Sequence, residues 1–163
     1  MEYKACSFTG HRRIKPEHLS GLAGLLRRAV SYAYGVGVRT FFAGGAVGFD
    51  TLAAREIIRF RLTHPDVRLV MLLPCVEQAE GWSARQRDDY EYVLRQADET
   101  VYVSQEYTAD CMKRRNAELV RRADMLIAYA SNMRSGSGQT VNFAKKAGVT
   151  VYNLYPALSG GEP

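Results

Sequence analysis

The sequence predicts a single-domain α/β fold: a three-layer sandwich whose mostly parallel sheet of about six strands carries helices on both faces. Three observations predict it. Short apolar runs alternate with segments of helical spacing along the whole chain, and strand–helix–strand crossovers give parallel pairing. The apolar runs are nearly uninterrupted, as strands covered on both faces require. The length, 163 residues, suits one domain with one core.

The elements follow in order. YKACSF (3–8) reads as a short buried strand. Pro16 opens a helix, since proline suits a first turn. Leu19, Leu22, Leu25, Leu26, Ala29, Val30 and Ala33 recur at helical spacing, and Gly35 and Gly37 end that helix. VRTFFA (38–43) is the second strand, followed by a helix from about Asp50 to Leu62. VRLVMLL (67–73) is a continuous apolar strand stopped by Pro74. The segment 82–97 is helical, ETVYVS (99–104) is the fourth strand, and Asp110 to Arg122 is the next helix. MLIAYA (125–130) is the fifth strand. MRSGSGQ (133–139) reads as a loop before a helix, TVNFAKKAG, stopped by Gly148. VTVYNL (149–154) is the sixth strand. The domain is expected to span 1–156, with 157–163 a flexible tail.

Apolar residues make up 47% and charged residues 24%, as in ordinary globular chains. The net charge of +5 permits an anionic small molecule or nucleic acid as partner. The arginine pairs are scattered and read as solvated helix faces. Cys6, Cys75 and Cys111 are odd in number and lack a C-x-x-C spacing. They predict reduced cysteines and a cytoplasmic location. No apolar run approaches the ~20 residues of a membrane span. No His/Cys/Asp cluster has metal-ligand spacing, and no cofactor is predicted.

In an open parallel sheet, ligands bind beyond the carboxyl ends of the strands, where strand order reverses. The candidates therefore follow the strands. Thr9, Gly10, His11 and Arg12 follow the first; Gly44, Gly45, Ala46 and Gly48 lead to Asp50 after the second. Arg115 and Asn116 follow the fourth; Gly136, Ser137, Gly138 and Thr140 follow the fifth. Helix N-termini expose unpaired N–H groups, and glycine lets a phosphate approach them. Either glycine turn is thus a phosphate cradle or plain turn chemistry. Neither matches G-x-x-x-x-G-K-[ST], nor does the first turn match G-x-G-x-x-G. Asp50 is a helix cap or an acceptor for a ribose hydroxyl. His11 is a phosphate ligand, an acid/base, or an idle loop residue. Trp82 stacks on a base or packs in a core or interface.

Together the motifs FTGHR, AGGAVGFDTLAA, Gln78…Trp82…Tyr90…Ala97-Asp98, Tyr107…Lys113-Arg114-Arg115-Asn116 and Ser135-Gly136-Ser137-Gly138-Gln139-Thr140-Val141 resemble the SLOG superfamily. This Rossmann-like group joins Smf/DprA proteins and LONELY GUY enzymes, and the match over about residues 5–155 is to its YpsA-like branch. The resemblance implies a Rossmann-like fold, a site for a nucleotide-derived ligand, possession of which suits a sensor or regulator of ADP-ribose-like molecules, and a homodimer. LONELY GUY enzymes cleave the N-glycosidic bond of nucleoside 5′-monophosphates with an arginine and a glutamate. Arg115 or Arg114 falls near that arginine, but Asn142 stands in place of the glutamate, which counts against hydrolysis. DprA-like proteins bind single-stranded DNA; the chain has no basic stripe interleaved with aromatics, so that partner ranks below a nucleotide.

Overall fold

The structure, a computed structural model, describes residues 3–159. Its elements are β1 (Ala5–Gly10), α1 (Leu19–Gly35), β2 (Thr40–Ala43), α2 (Phe49–Arg61), β3 (Arg68–Leu73) and α3 (Ala84–Gln96). Then come β4 (Glu99–Tyr102), α4 (Cys111–Arg121), β5 (Met125–Tyr129), α5 (Gly136–Lys146), β6 (Thr150–Asn153) and α6 (Tyr155–Leu158). The six strands form one sheet in the order β4-β3-β2-β1-β5-β6, and every pairing is parallel. The fold is the Rossmann-like three-layer sandwich expected.

Side-chain alternation explains why both faces are covered. Leu69, Met71 and Leu73 of β3 face one core with Phe8, Phe41, Leu22, Leu26 and Ile57. Val70 and Leu72, one residue out of step, face the other way with Phe42 and Leu119. In β5, Met125, Ile127 and Tyr129 join the first core, while Leu126 and Ala128 meet Val120, Val141 and Ala144. Strands with apolar residues on both faces need helices on both faces: α1, α2 and α3 cover one, α4 and α5 the other.

Two helix starts differ from expectation. Pro16 lies in a single 3-10 turn, Pro16–His18, and the α-helix proper begins at Leu19. Helix α5 begins at Gly136, inside the segment read as a loop. Its cap is the reason: Ser135 Oγ accepts from Gly138 N–H at 3.0 Å, which offsets the poor helix propensity of the two glycines. Residues 157 and 158, expected in the tail, lie in α6, and 160–163 lie outside the described residues.

The topology positions the site. The chain steps outward from β1 to β4, then returns to lay β5 on the other side of β1. The reversal falls between β1 and β5, where Thr9 pairs with Ala128 and Gly10 with Tyr129. The loops after those strands must diverge, which leaves a crevice at their carboxyl ends.

Candidate functional site

A cavity of about 300 Å³ occupies that crevice. Thr9, Gly10, His11 and Arg12 line it from the β1–α1 loop, Ala46 and Asp50 from the start of α2, Arg115 and Asn116 from α4, and Gly136 and Ser137 from α5. Four separate candidate segments therefore meet at one rim of the sheet.

The first glycine turn serves the protein itself. At Gly45, φ is +77°, and a Cβ would stand 2.5 Å from Leu73 Cδ2 and 3.2 Å from Tyr90 Cε1. That direction is the core, which accounts for glycine at this position, and Gly45 does not line the cavity. A Cβ at Gly48 would strike the carbonyl of Arg12, because the β1–α1 loop is pressed against this turn; Phe49 N–H donates to His11 O at 3.2 Å. Gly44 lies under Arg115 and Asp50: a Cβ there would be 2.6 Å from Arg115 Nη1 and 3.0 Å from Asp50 Oδ2. Only Ala46 of this turn lines the cavity, and its N–H already donates to Asp50 Oδ2 at 3.2 Å.

Asp50 is not a cap. Gly48 holds the N-cap position of α2 without a side-chain bond. The carboxylate is 5% exposed, and its Oδ1 has no partner among the described residues. Burial pushes its pKa up to about 6, against the opposing pull of the Arg115 guanidinium, the Ala46 N–H and Arg12. Arg115 is buried as well. It donates from Nη1 to Gly44 O and from Nε to Asn116 Oδ1 at 2.8 Å. Burial lowers its pKa, while nearby Asp50 favours its charged form.

On the opposite wall, α5 aims its N-terminus at the cavity. Gly136 and Ser137 are its first two residues, and N–H groups there have no carbonyl four residues earlier within the helix to bond. A Cβ on Gly136 would find its nearest atom, Asn116 Nδ2, at 3.8 Å, so this glycine faces open space. Gly138 instead packs its Cα against Asn132 and Met133.

His11 clamps the two loops. Its Nε2 accepts from Ser131 N–H at 2.8 Å, which assigns the proton to Nδ1, and Nδ1–H donates to Ser137 Oγ at 3.0 Å. Burial lowers its pKa. Both nitrogens are thus engaged by the protein.

A second cavity, about 450 Å³, adjoins the first between α4 and α5. Met112, Asn116 and Gly136 line both. Thr140 belongs to this second chamber, with Oγ1 bonded to Gly136 O at 2.8 Å. Six expected residues line neither cavity: Gly44, Gly45, Gly48 and Gly138, already placed, and Trp82 and Asn142. Trp82 packs edge-on to Tyr90, ring centroids 5.2 Å apart, at the margin of the core. Asn142 is exposed, because α5 turns 136, 139, 140 and 143 toward α4 and carries 142 on another face.

A sequence profile of the YspA SLOG family matches residues 3–153. This chain belongs to that family, the YpsA-like branch of the SLOG superfamily. Among its relatives, the UPF0398 protein of Bacillus thuringiensis (strain Al Hakam) is 29% identical over 134 residues, covering 80% of this chain and 73% of that protein. The SPbeta prophage-derived protein YoqJ of Bacillus subtilis (strain 168) is 28% identical over 130 residues, 71% of this chain and 76% of that one. DNA processing protein A of Helicobacter pylori, described with a single-stranded DNA binding mode, shares the fold at TM-score 0.64 and 18% identity, over 91% of this chain and 63% of that chain. Its counterpart from Streptococcus pneumoniae gives 0.66 at 17%, over 93% and 50%. This SLOG chain thus spans about half to two thirds of those DNA processing proteins.

Several residues of the candidate site were not among those the sequence singled out. Ser131 and Ser135 hold His11 and the α5 cap, and Met112, Gln139 and Phe143 line the second chamber. The signal for the last two was present: from Gly136, positions 139, 140 and 143 follow the spacing of one helix face. It becomes readable only once the helix is known to start at Gly136. Among the described residues, no group of three or more His, Cys, Asp or Glu side chains could hold a metal ion, and no helix is long and apolar enough to cross a membrane.

Proposed function

We propose that this protein binds a nucleotide or nucleotide-derived ligand in the cavity at the β1–β5 switch, as a sensor or regulator. SLOG membership supports a nucleotide- or DNA-binding type of function in general terms. The observation that carries the finer reading is the pairing of two unmet needs across one cavity. Asp50 Oδ1 is a buried acceptor without a donor. The first two N–H groups of α5, those of Gly136 and Ser137, are donors without an acceptor in the helix. A ribose hydroxyl satisfies the first and a phosphate the second. Arg12, exposed and lining the same cavity, adds charge at the phosphate end. A cavity of about 300 Å³ is within the range of small-molecule sites.

A second reading has one observation in its favour. A buried carboxylate with a pKa of about 6 is poised for acid–base chemistry, which would suit N-glycosidic cleavage. Asn142, at the family glutamate's place, is exposed on α5, so Asp50 alone would supply that chemistry.

The test is a thermal-shift panel of nucleoside monophosphates, nucleoside diphosphates and ADP-ribose, since a ligand of the folded state raises the melting temperature. A saturable shift abolished by Asp50→Ala supports the reading. No shift from any of them, together with length-dependent and salt-sensitive binding of single-stranded DNA, replaces it with a DNA-binding function. Release of free base from a monophosphate would establish the enzyme reading.

A further inference from the structure

We infer that the chamber between α4 and α5 seats the heterocyclic base of the ligand, so that one nucleotide spans both cavities. This rests on the proposed nucleotide reading and adds the place and chemistry of base selection.

The two cavities differ in kind. The first is walled by hydroxyls, the Asp50 carboxylate, the guanidinium groups of Arg12 and Arg115, and helix N–H groups. The second has apolar walls from Ala109, Met112, Ala117 and Phe143, with the amides of Asn116 and Gln139, the Thr140 side chain and the Lys113 side chain among them. Apolar walls with a few convergent amides suit a flat heterocycle: the faces stack on apolar surface and the edge meets hydrogen-bonding groups. Among the described residues no carboxylate lines this chamber, and Lys113 does, so it does not favour a cationic group.

Helix geometry explains why the chamber exists. On α4 and the residues just before it, 109, 112, 113, 116 and 117 share one face, and on α5 the facing stripe is 136, 139, 140 and 143. Small residues at 109, 117 and 136 leave unfilled the space between the two stripes that larger side chains would occupy. Phe143 remains 44% exposed, although neighbours Val141 and Ala144 on the same helix are buried. An aromatic ring at the mouth of an apolar chamber is available to stack.

Continuity argues for one ligand over two. Met112, Asn116 and Gly136 belong to both linings. A phosphate at the N–H groups of Gly136 and Ser137 and a sugar at Asp50 leave the base one enclosed direction, past Asn116 into this chamber. The open face of Gly136, with nothing closer than 3.8 Å to a built Cβ, keeps the passage clear.

The experiment compares ribose 5-phosphate with the 5′-monophosphates of adenosine, guanosine, cytidine and uridine by calorimetry on the full chain. At least one monophosphate should bind about tenfold tighter than ribose 5-phosphate, as expected for one stacked base. Ala117→Trp should fill the chamber and erase that preference, while ribose 5-phosphate affinity stays within about threefold. Phe143→Ala, at an exposed position, should weaken monophosphate binding by about tenfold and keep the native melting temperature, so the inference remains testable if the tryptophan variant does not fold. Equal affinity for ribose 5-phosphate and all four monophosphates overturns the base seat and leaves the phosphate–sugar site standing. Retention of the preference in both variants also overturns it. A chain that self-associates through this face, shown by sedimentation as a dimer that Ala117→Trp dissociates, assigns the chamber to a second copy and overturns it too. Binding of none of these probes overturns the base seat, and the nucleotide reading beneath it falls only if nucleoside diphosphates and ADP-ribose also give no thermal shift.

Discussion

Substituting alanine at Gly45 and at Gly136 should give opposite results, although both are glycines in strand-to-helix turns. At Gly45 the backbone sits at φ +77°, where an L-residue costs about 1–2 kcal/mol. The new Cβ would also stand 2.5 Å from Leu73 Cδ2, 3.1 Å from Gln78 Nε2 and 3.2 Å from Tyr90 Cε1. Leu73 is fully buried, so the clash is relieved only by shifting core, at about 1–3 kcal/mol. Together these destabilise the protein by about 2–5 kcal/mol, a fall in melting temperature of roughly 5–15 °C for a chain of this size. At Gly136 the Cβ meets nothing within 3.8 Å, and alanine in a helix gains about 0.5–1 kcal/mol over glycine. Gly136→Ala should therefore melt at the same temperature or slightly higher, yet bind nucleoside monophosphates less well, because the methyl group stands over the helix N–H groups. Urea and thermal unfolding measure the first quantity and calorimetry the second. A Gly45→Ala variant of native stability, or a Gly136→Ala variant that loses stability and keeps its ligand affinity, would refute the assignment of one glycine to the core and the other to the site.

Asp50 makes stability pH-dependent. The folded protein holds its proton up to about pH 6 and the unfolded chain releases it near 3.8. The folded state therefore binds more protons between those values, and this contribution is lost as pH rises through the window. Asp50→Asn removes the effect, so urea unfolding should show variant stability gaining about 2–3 kcal/mol relative to the parent between about pH 4 and 7; a constant difference would contradict the burial. His11 acts with the opposite sign. Its folded pKa lies below the ordinary 6.5, so its contribution is intact above that value and lost as pH falls below it. His11→Ala should remove about 1–2 kcal/mol through two lost hydrogen bonds and speed amide exchange at Ser131 near neutral pH, and unchanged exchange would exclude the clamp. Arg115→Ala leaves Gly44 O and the buried Asp50 without their donor and nearest cation. It should cost about 3–5 kcal/mol, with the Asp50 titration moved above pH 6, as followed by carboxyl carbon NMR.

The strands were legible because their signal is local and redundant. Leu69 to Leu73 is apolar at every position, and only a strand buried on both faces uses such a run. The helix faces of α1 and α2 were legible for the same reason. The start of α5 was not, since two glycines and two serines in five residues have the composition of a loop, and the Ser135 cap that turns them into a helix is a three-dimensional event. The convergence of four post-strand segments followed from the parallel crossovers alone. What each glycine does there did not, because sequence shows that a Cβ is absent and not which side is crowded. Gly45 and Gly136 looked equivalent for that reason. Trp82 stayed open between a base and the core because aromatic character is the same against Tyr90 as against a base.

The strand order has one more consequence. The walls of the crevice come from residues near 10, 46, 115 and 136, yet β1 and β5, whose parting creates it, are laid side by side only after three strands and four α-helices have been threaded out and back. No contiguous fragment carries a usable half. Occupancy by a small molecule would then report on completed assembly of the whole sheet, and a lesion at either distant edge strand would be felt as lost affinity before any lining residue had been touched.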